Sequence, residues 1–180
     1  MDAFIQQHFK GKHFDKDSVI ALKGNINNEL LFALKDNAFF KQALPKTTGP
    51  ELFNLDYLQQ AKEKSLTTML SVEDTMATLN KFSADTIIDA LLKTISKDVS
   101  IKIYASGGGM HNPLLMQHIK AALPNCEFLT TADLDIEPDA KEAVLFAVLA
   151  NECICGDGSY LQKGNLSIPA ISMGKISFPS

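Results

Sequence analysis

Through the first hundred positions, apolar residues recur at three- and four-residue intervals; near position 100 they give way to a short β-branched run. Met1-Asp2-Ala3-Phe4-Ile5 opens directly on an amphipathic helix. Asp17 to Lys23 and Ile26 to Lys35 carry apolar residues at helical spacing, with Gly24 as the stop between them. Phe39, Phe40 and Leu44 then pack the exit of the second segment. Leu55 to Ala61 predicts a short helix. Val72 to Ile95 predicts the longest one, with Leu79, Phe82, Ile87, Leu91, Leu92 and Ile95 along one broad face.

From Ser100 the pattern becomes strand (Ile101 to Ala105), helix (Asn112 to Leu123), strand (Glu127 to Thr130) and helix (Asp139 to Cys153). Alternation of this kind implies parallel pairing through right-handed crossovers. The fold class expected is therefore α/β, a helix-rich first half followed by a mainly parallel sheet with flanking helices. Ligands of such sheets collect at the carboxyl ends of the strands, where Gly107 to Gly109 sit. In the tail from Gly156, the apolar pieces Ile168 to Met173 and Ile176 to Phe178 suggest a covering loop and a final edge strand.

Composition narrows the function classes. A chain of 180 residues, 46% hydrophobic and 21% charged, is long enough to bury a core, and one domain over 1–180 is the expectation. The formal charge of -4 and the scattered lysines argue against a nucleic-acid partner. No run approaches the roughly 18 apolar residues of a membrane span, and no basic-then-apolar leader is visible, so a cytoplasmic protein with no membrane partner is expected. Cys126, Cys153 and Cys155 fit neither a disulfide framework nor a four-ligand zinc site; reduced thiols and no metal site are the expectation.

The most informative stretch is Ile101 to Asn112, IKIYASGGGMHN. Three glycines without Cβ atoms let a ligand approach the backbone amides, and the helix start at Asn112-Pro113 adds partial positive charge. Such a turn suits a nucleotide phosphate or ribose. It lacks the Gly-Lys-Ser/Thr ending of a P-loop and the spacing of a dinucleotide fingerprint. The other reading is a tight turn that needs glycine only for backbone geometry, with Asn112 as N-cap and Pro113 in the first helical position. His111 is either a hydrogen-bonding partner of the same ligand or a local cap.

Two more segments carry candidate chemistry. Leu44-Pro45-Lys46-Thr47-Thr48-Gly49-Pro50-Glu51 combines a cation, two hydroxyls and rigid turn residues; it is either a phosphate-holding cleft wall or a surface loop. Glu137-Pro138-Asp139-Ala140-Lys141-Glu142 is helix-start chemistry, with Glu142 in the first turn. Glu142 caps its helix, or serves as a ligand group if that helix start faces the glycine turn.

Five ordered blocks of this chain resemble the anhydro-N-acetylmuramic acid kinases. Gly107-Gly108-Gly109-Met110-His111-Asn112-Pro113, then Thr130-Thr131, then Pro138-Asp139-Ala140-Lys141-Glu142-Ala143 with Phe146-Ala147, are similar to the C-terminal half of that family. Upstream, Pro45 to Phe53 resembles its P-K-S-T-G-R-E-x-F segment, and Ala77-Thr78-Leu79 with Ser83-Ala84 and Ile87 its A-T-L…T-A-x-S-I helix.

The resemblance implies a ribonuclease H-like domain of the acetate and sugar kinase, Hsp70 and actin superfamily, with 1–180 as the C-terminal, nucleotide-binding domain of a two-domain sugar kinase. The family's Gly-Thr-Ser-rich phosphate loop and its Asp-x-Gly-Pro-Gly-Asn motif, which holds the general base, do not occur in this sequence. No catalytic residue is therefore expected here, and the isolated chain is expected to be incomplete. The implied reaction opens the 1,6-anhydro ring of a cell-wall sugar with water while ATP, with Mg²⁺, phosphorylates O6. By resemblance Gly107, Gly108, Gly109, His111 and Asn112 touch the nucleotide, Glu142 reaches the sugar, and Lys46, Thr47, Thr48 and Gly49 line the cleft. Leu44, Thr47 and Pro50 depart from the family's proline, serine and arginine, and in the tail Gly164-Asn165 and Pro169 fit its pattern better than Ser172-Met173-Gly174 does. The implied partners are the anhydro-sugar and the N-terminal domain or another subunit, with self-association through a bared apolar face. The alternatives are a non-catalytic interaction module and half of another sugar kinase of the superfamily.

Overall fold

Short polar side chains start most of the helices. In a computed structural model that describes residues 1–95 and 100–156, α2 (Asn28–Lys35), α3 (Ala38–Lys41), α4 (Leu55–Lys64) and α5 (Val72–Thr94) follow α1 (Asp2–His8). The Asn27 carboxamide accepts from Leu30 N–H at 2.8 Å, Asn37 from Phe39 N–H at 2.9 Å and Asn54 from Tyr57 N–H at 3.0 Å. Ser71 Oγ accepts from Asp74 N–H at 3.0 Å at the head of the 23-residue α5. Each bond satisfies an amide that a helix start otherwise leaves without a partner, typically about 1 kcal/mol per cap.

The segment Asp17 to Lys23 departs from its predicted helix. It forms two 3-10 turns, Lys16–Ser18 and Ala21–Lys23, because Asp17 (φ 55°) and Ser18 (φ 58°) are both left-handed. A left-handed backbone breaks helical hydrogen bonding, and the Asp15 carboxylate takes over: Ile20 N–H and Ala21 N–H each donate to one of its oxygens at 2.9 Å. Helical spacing of apolar residues here reflects burial of Ile20 and Ala21, not a continuous helix.

The chain divides into two compact units, Met1–Ile103 with Gly108–Phe128, and Tyr104–Gly107 with Leu129 onward. In the first, one apolar cluster joins Phe4, Ile5, Ile20, Leu30, Leu34, Leu58, Met76 and Leu79, and a second joins Ala84, Ile88, Leu115, Ile119 and Leu123. α5 spans both clusters, one near each end. Gly24 lets its N-terminal end approach: a Cβ there would lie 2.0 Å from the Glu73 carbonyl oxygen. Asn25 N–H donates to Asp74 Oδ1 at 2.7 Å and Asn27 N–H to Thr78 Oγ1 at 2.9 Å, fastening the same contact. Where α2 meets α5, the partly buried Asp85 pairs with Lys81 and with Lys35 at 3.3 Å, and Asp89 pairs with Lys35 at 3.4 Å.

β1 (Ile101–Ala105), α6 (Pro113–Ala122) and β2 (Cys126–Thr130) follow the predicted strand–helix–strand order, and the strands pair as a small parallel sheet. Only these two strands occur among the described residues; Ile168 to Met173 and Ile176 to Phe178, predicted as loop and edge strand, lie outside them. In the second unit α7 (Lys141–Cys155) follows a 3-10 turn at Pro138–Ala140 and buries none of its residues; Leu145, Phe146, Val148 and Ile154 are exposed. No helix among the described residues is long and apolar enough to cross a membrane.

Replacing Gly24 with alanine puts a methyl into main chain that does not yield; we expect a loss of about 1–3 kcal/mol, read as a lower urea midpoint with unchanged slope. Asp85 gives a pH signature. Burial pushes its carboxyl up, but hydrogen bonding to Lys81 and the charge and hydrogen bond of Lys35 outweigh that and leave it below the ordinary carboxylate value. A depressed carboxyl stabilises the fold fully above the unfolded value of about 4 and stops doing so as pH falls through the folded one. Asp85→Asn should cost on the order of 1 kcal/mol at pH 7, and the gap to the parent should close below about pH 4. A gap that stays constant to pH 2 contradicts the assignment.

Candidate functional site

The three consecutive glycines differ in what they need. Gly107 has φ +80°, a left-handed conformation that favours glycine. Gly108 and Gly109 open a 3-10 turn, Gly108–His111, and neither is left-handed. A Cβ on Gly108 would meet no atom within 4 Å, and one on Gly109 would stand 3.8 Å from Leu115 Cδ2, an ordinary contact. Backbone geometry therefore accounts for Gly107 alone. At Gly108 the absent side chain leaves open space over the main chain, as close approach by a ligand requires.

In the first unit that space is part of a cavity of about 460 Å³ lined by Gly108, Gly109, His111, Asn112, Met76 and the turn from Phe14 to Asp17, with Met1 and Asp2. Asn112 is the N-cap of α6 and Pro113 takes the first helical turn, so the capping chemistry read from the sequence coexists with a ligand-sized space. The Asn112 carboxamide oxygen accepts three bonds: from Leu115 N–H at 2.9 Å, from Ser18 Oγ–H at 2.7 Å and from Asn80 Nδ2–H at 2.9 Å. Ser18 Oγ in turn accepts from Leu114 N–H at 3.2 Å. Ser18 and Asn80 are fully buried.

The electrostatics of the lining are mixed. Asp15 is buried and both its oxygens are taken by the amides of Ile20 and Ala21. Among the side chains of the lining, Asp2 and Asp17 are exposed carboxylates and Lys16 supplies an ammonium. Hydroxyl groups find acceptors in such a lining and backbone donors at the turn; a polyanion finds little net attraction.

The remaining predicted residues lie elsewhere. Lys46 Nζ donates to the Phe39 carbonyl at 2.7 Å and lies 4.5 Å from the centre of the Phe39 ring, which ties it to α3. Lys46 and Thr48 line a separate cavity of about 460 Å³ walled by Phe39, Phe40, Phe53 and Phe82. Thr47 is exposed and Gly49 N–H donates to Glu51 Oε1 at 2.6 Å. The 45–49 loop and the glycine turn are thus brought to different cavities. Glu142 is exposed in the first turn of α7, within the second unit.

Sequence reasoning did not single out Phe14, Asp15, Lys16, Asp17, Ser18, Met76 or Asn80. Signals for some of them were present. Asp15 and Ser18 carry side-chain oxygens of the kind that capture backbone amides, which marks a built turn and not a helix. Asn80 is a carboxamide beside Met76, Ala77 and Leu79, all buried; a fully buried amide in that company needs a specific partner.

The sequence matches the family model for anhydro-N-acetylmuramic acid kinase over residues 1–178. The anhydro-N-acetylmuramic acid kinase of Pseudoalteromonas atlantica is 52% identical over 180 residues, which cover 99% of this chain and 45% of the relative. Its counterpart in Pseudoalteromonas translucida is 49% identical, again over 99% of this chain and 45% of the relative. The one in Caldanaerobacter subterraneus is 35% identical over 98% of this chain and 45% of its own length. The chain therefore spans a little under half the length of these relatives. Matched by that model along almost its whole length, this chain belongs to the anhydro-N-acetylmuramic acid kinase family.

Proposed function

We propose that this chain is the C-terminal, nucleotide-binding domain of an ATP-dependent 1,6-anhydro-N-acetylmuramic acid kinase of ribonuclease H-like fold, the whole enzyme coupling hydrolytic ring opening to O6 phosphorylation. The observation that carries the reading is the cavity over Gly108, a glycine required by neither backbone sign nor packing. In this reading the cavity takes the nucleoside end of ATP: backbone amides of the glycine turn donate, and the Asp17 carboxylate accepts from hydroxyls. Gly107, Gly109, His111 and Asn112 complete the nucleotide contacts, Glu142 reaches the sugar, and Lys46, Thr47, Thr48 and Gly49 shape a wall away from the nucleoside.

Phosphoryl transfer needs charge neutralisation, a metal ion and an aligned water. Among the described residues no group of three or more His, Cys, Asp or Glu side chains could hold an ion, so Mg²⁺ is assigned to the nucleotide's phosphates and to protein outside this chain. The general base is assigned there too, which makes the chain incomplete by itself. The exposed apolar side chains of α7 suit a helix that meets further protein, either the N-terminal domain or a second copy.

Two measurements test this. Mixed with the remaining part of the Pseudoalteromonas atlantica relative, the chain should restore ATP-dependent phosphorylation of the anhydro-sugar, with neither piece active alone. Absence of activity from a mixture shown by sedimentation to form the complex sinks the kinase reading. Gly108→Val should leave the melting temperature within a few degrees, since its branches enter open space, and should lower ATP affinity at least tenfold; equal affinity would move the nucleotide away from this turn.

A further inference from the structure

Asn112 reaches the cavity through a planar carboxamide, which has two faces to offer: an oxygen that accepts and an amide that donates. The atom bonded to Leu115 N–H must be the oxygen, because a backbone amide only donates. Ser18 and Asn80, both fully buried, crowd onto that same oxygen. The NH₂ group is then the polar group that Asn112 has left for the cavity it lines.

Both partners are maintained against a local penalty. Ser18 holds φ +58°, next to Asp17 at φ +55°, where side chains other than glycine are disfavoured. Asn80 uses its Nδ2 on Asn112 while its buried Oδ1 has no hydrogen-bond partner among the described residues. Stability alone gives no reason for a half-satisfied amide in a core. Thr75 and Thr78, in the same helix, show the cheaper solution: each hydroxyl donates to the carbonyl four residues back, at 2.8 and 2.7 Å.

We propose that Ser18 and Asn80 are positioning residues, which lock the Asn112 oxygen inward so that its amide is presented as a hydrogen-bond donor to the ligand of the glycine cavity. The inference rests on the nucleotide reading for the identity of that ligand, here an uncharged nucleoside oxygen or nitrogen. The locking itself does not depend on that reading.

The experiment separates the two. In the ligand-free 180-residue chain, the Asn112 side-chain NH₂ signals, identified by their loss in Asn112→Asp, should be sharp in ¹⁵N-edited spectra. In Asn80→Thr, a volume-matched change whose hydroxyl can bond within α5, and in Ser18→Gly, which relieves the left-handed strain, they should broaden or merge while melting temperature holds or rises. Titrated with adenosine, a ligand without phosphates, Asn112→Asp should bind at least tenfold more weakly than the parent although it keeps the helix cap; Asn80→Thr and Ser18→Gly should bind roughly three- to tenfold more weakly. Unchanged Asn112 signals in Asn80→Thr and Ser18→Gly overturn the locking, whatever binds. A parallel fall of affinity and melting temperature reduces both residues to structural ones and overturns the proposal. Sharp signals lost as expected, with no adenosine or ATP binding to the parent up to 10 mM, would remove the nucleotide and with it the presented donor's ligand, leaving the lock alone. Adenosine affinity unchanged in Asn112→Asp overturns the presentation while leaving nucleotide binding at the turn intact.

Discussion

A single carboxamide oxygen, Asn112 Oδ1, joins three stretches of chain far apart in sequence: the turn at Ser18, the middle of α5 at Asn80 and the start of α6 at Leu115. Hydrogen bonds of this kind are individually worth about 1 kcal/mol, so the junction is not what keeps the unit folded; the two apolar clusters along α5 do that. What the junction fixes is direction. An N-cap used only for capping needs one bond, to the amide two or three residues on. The two further bonds, from buried donors, specify the rotation of the amide plane, and with it the chemistry shown to the cavity.

Glycine illustrates the same division between what folding demands and what it leaves free. At Gly24 a Cβ would run into the Glu73 carbonyl, so the residue is set by the packing of a loop on α5. At Gly107 it is set by a left-handed φ. At Gly108 neither applies. Residues that the fold does not explain are where function is to be sought. The run of three glycines thus holds two different arguments, which a reading of the sequence as one motif merges.

Periodicity made α5, α6 and both strands legible to within a residue or two, because each has a clear apolar face or a β-branched run and a recognisable start, Ser71 and Asn112 among them. It failed over 17–23, where Ile20 and Ala21 sit at helical spacing but the Asp15 carboxylate replaces helical bonding. It also missed α3, only four residues long, too short to show a period. Gly108, Gly109, His111 and Asn112 come to one cavity, and the signal for that was local. The cavity's other wall is contributed by residues nearly a hundred positions away, and no local pattern carries a contact of that range. Lys46 shows the converse: an exposed-looking cation in a turn is attractive as an anion site until its ammonium is found donating to the Phe39 carbonyl over an aromatic ring.

Charge limits what this cavity can hold. Against Lys16 stand Asp2 and Asp17, on a chain of formal charge -4. The partial charge at the start of α6, equivalent to about half a proton charge, offsets part of one carboxylate and no more. A lining of this kind discriminates by hydrogen bonding and shape, the contacts that recognise a neutral ring and its hydroxyls. Transfer of a phosphoryl group depends on the opposite property, strong positive potential in a water-poor site. The two demands conflict on one surface: cations dense enough to hold a triphosphate would pair with the carboxylates that the hydroxyls need. The polar group preorganised at this cavity is accordingly an amide and not an ammonium.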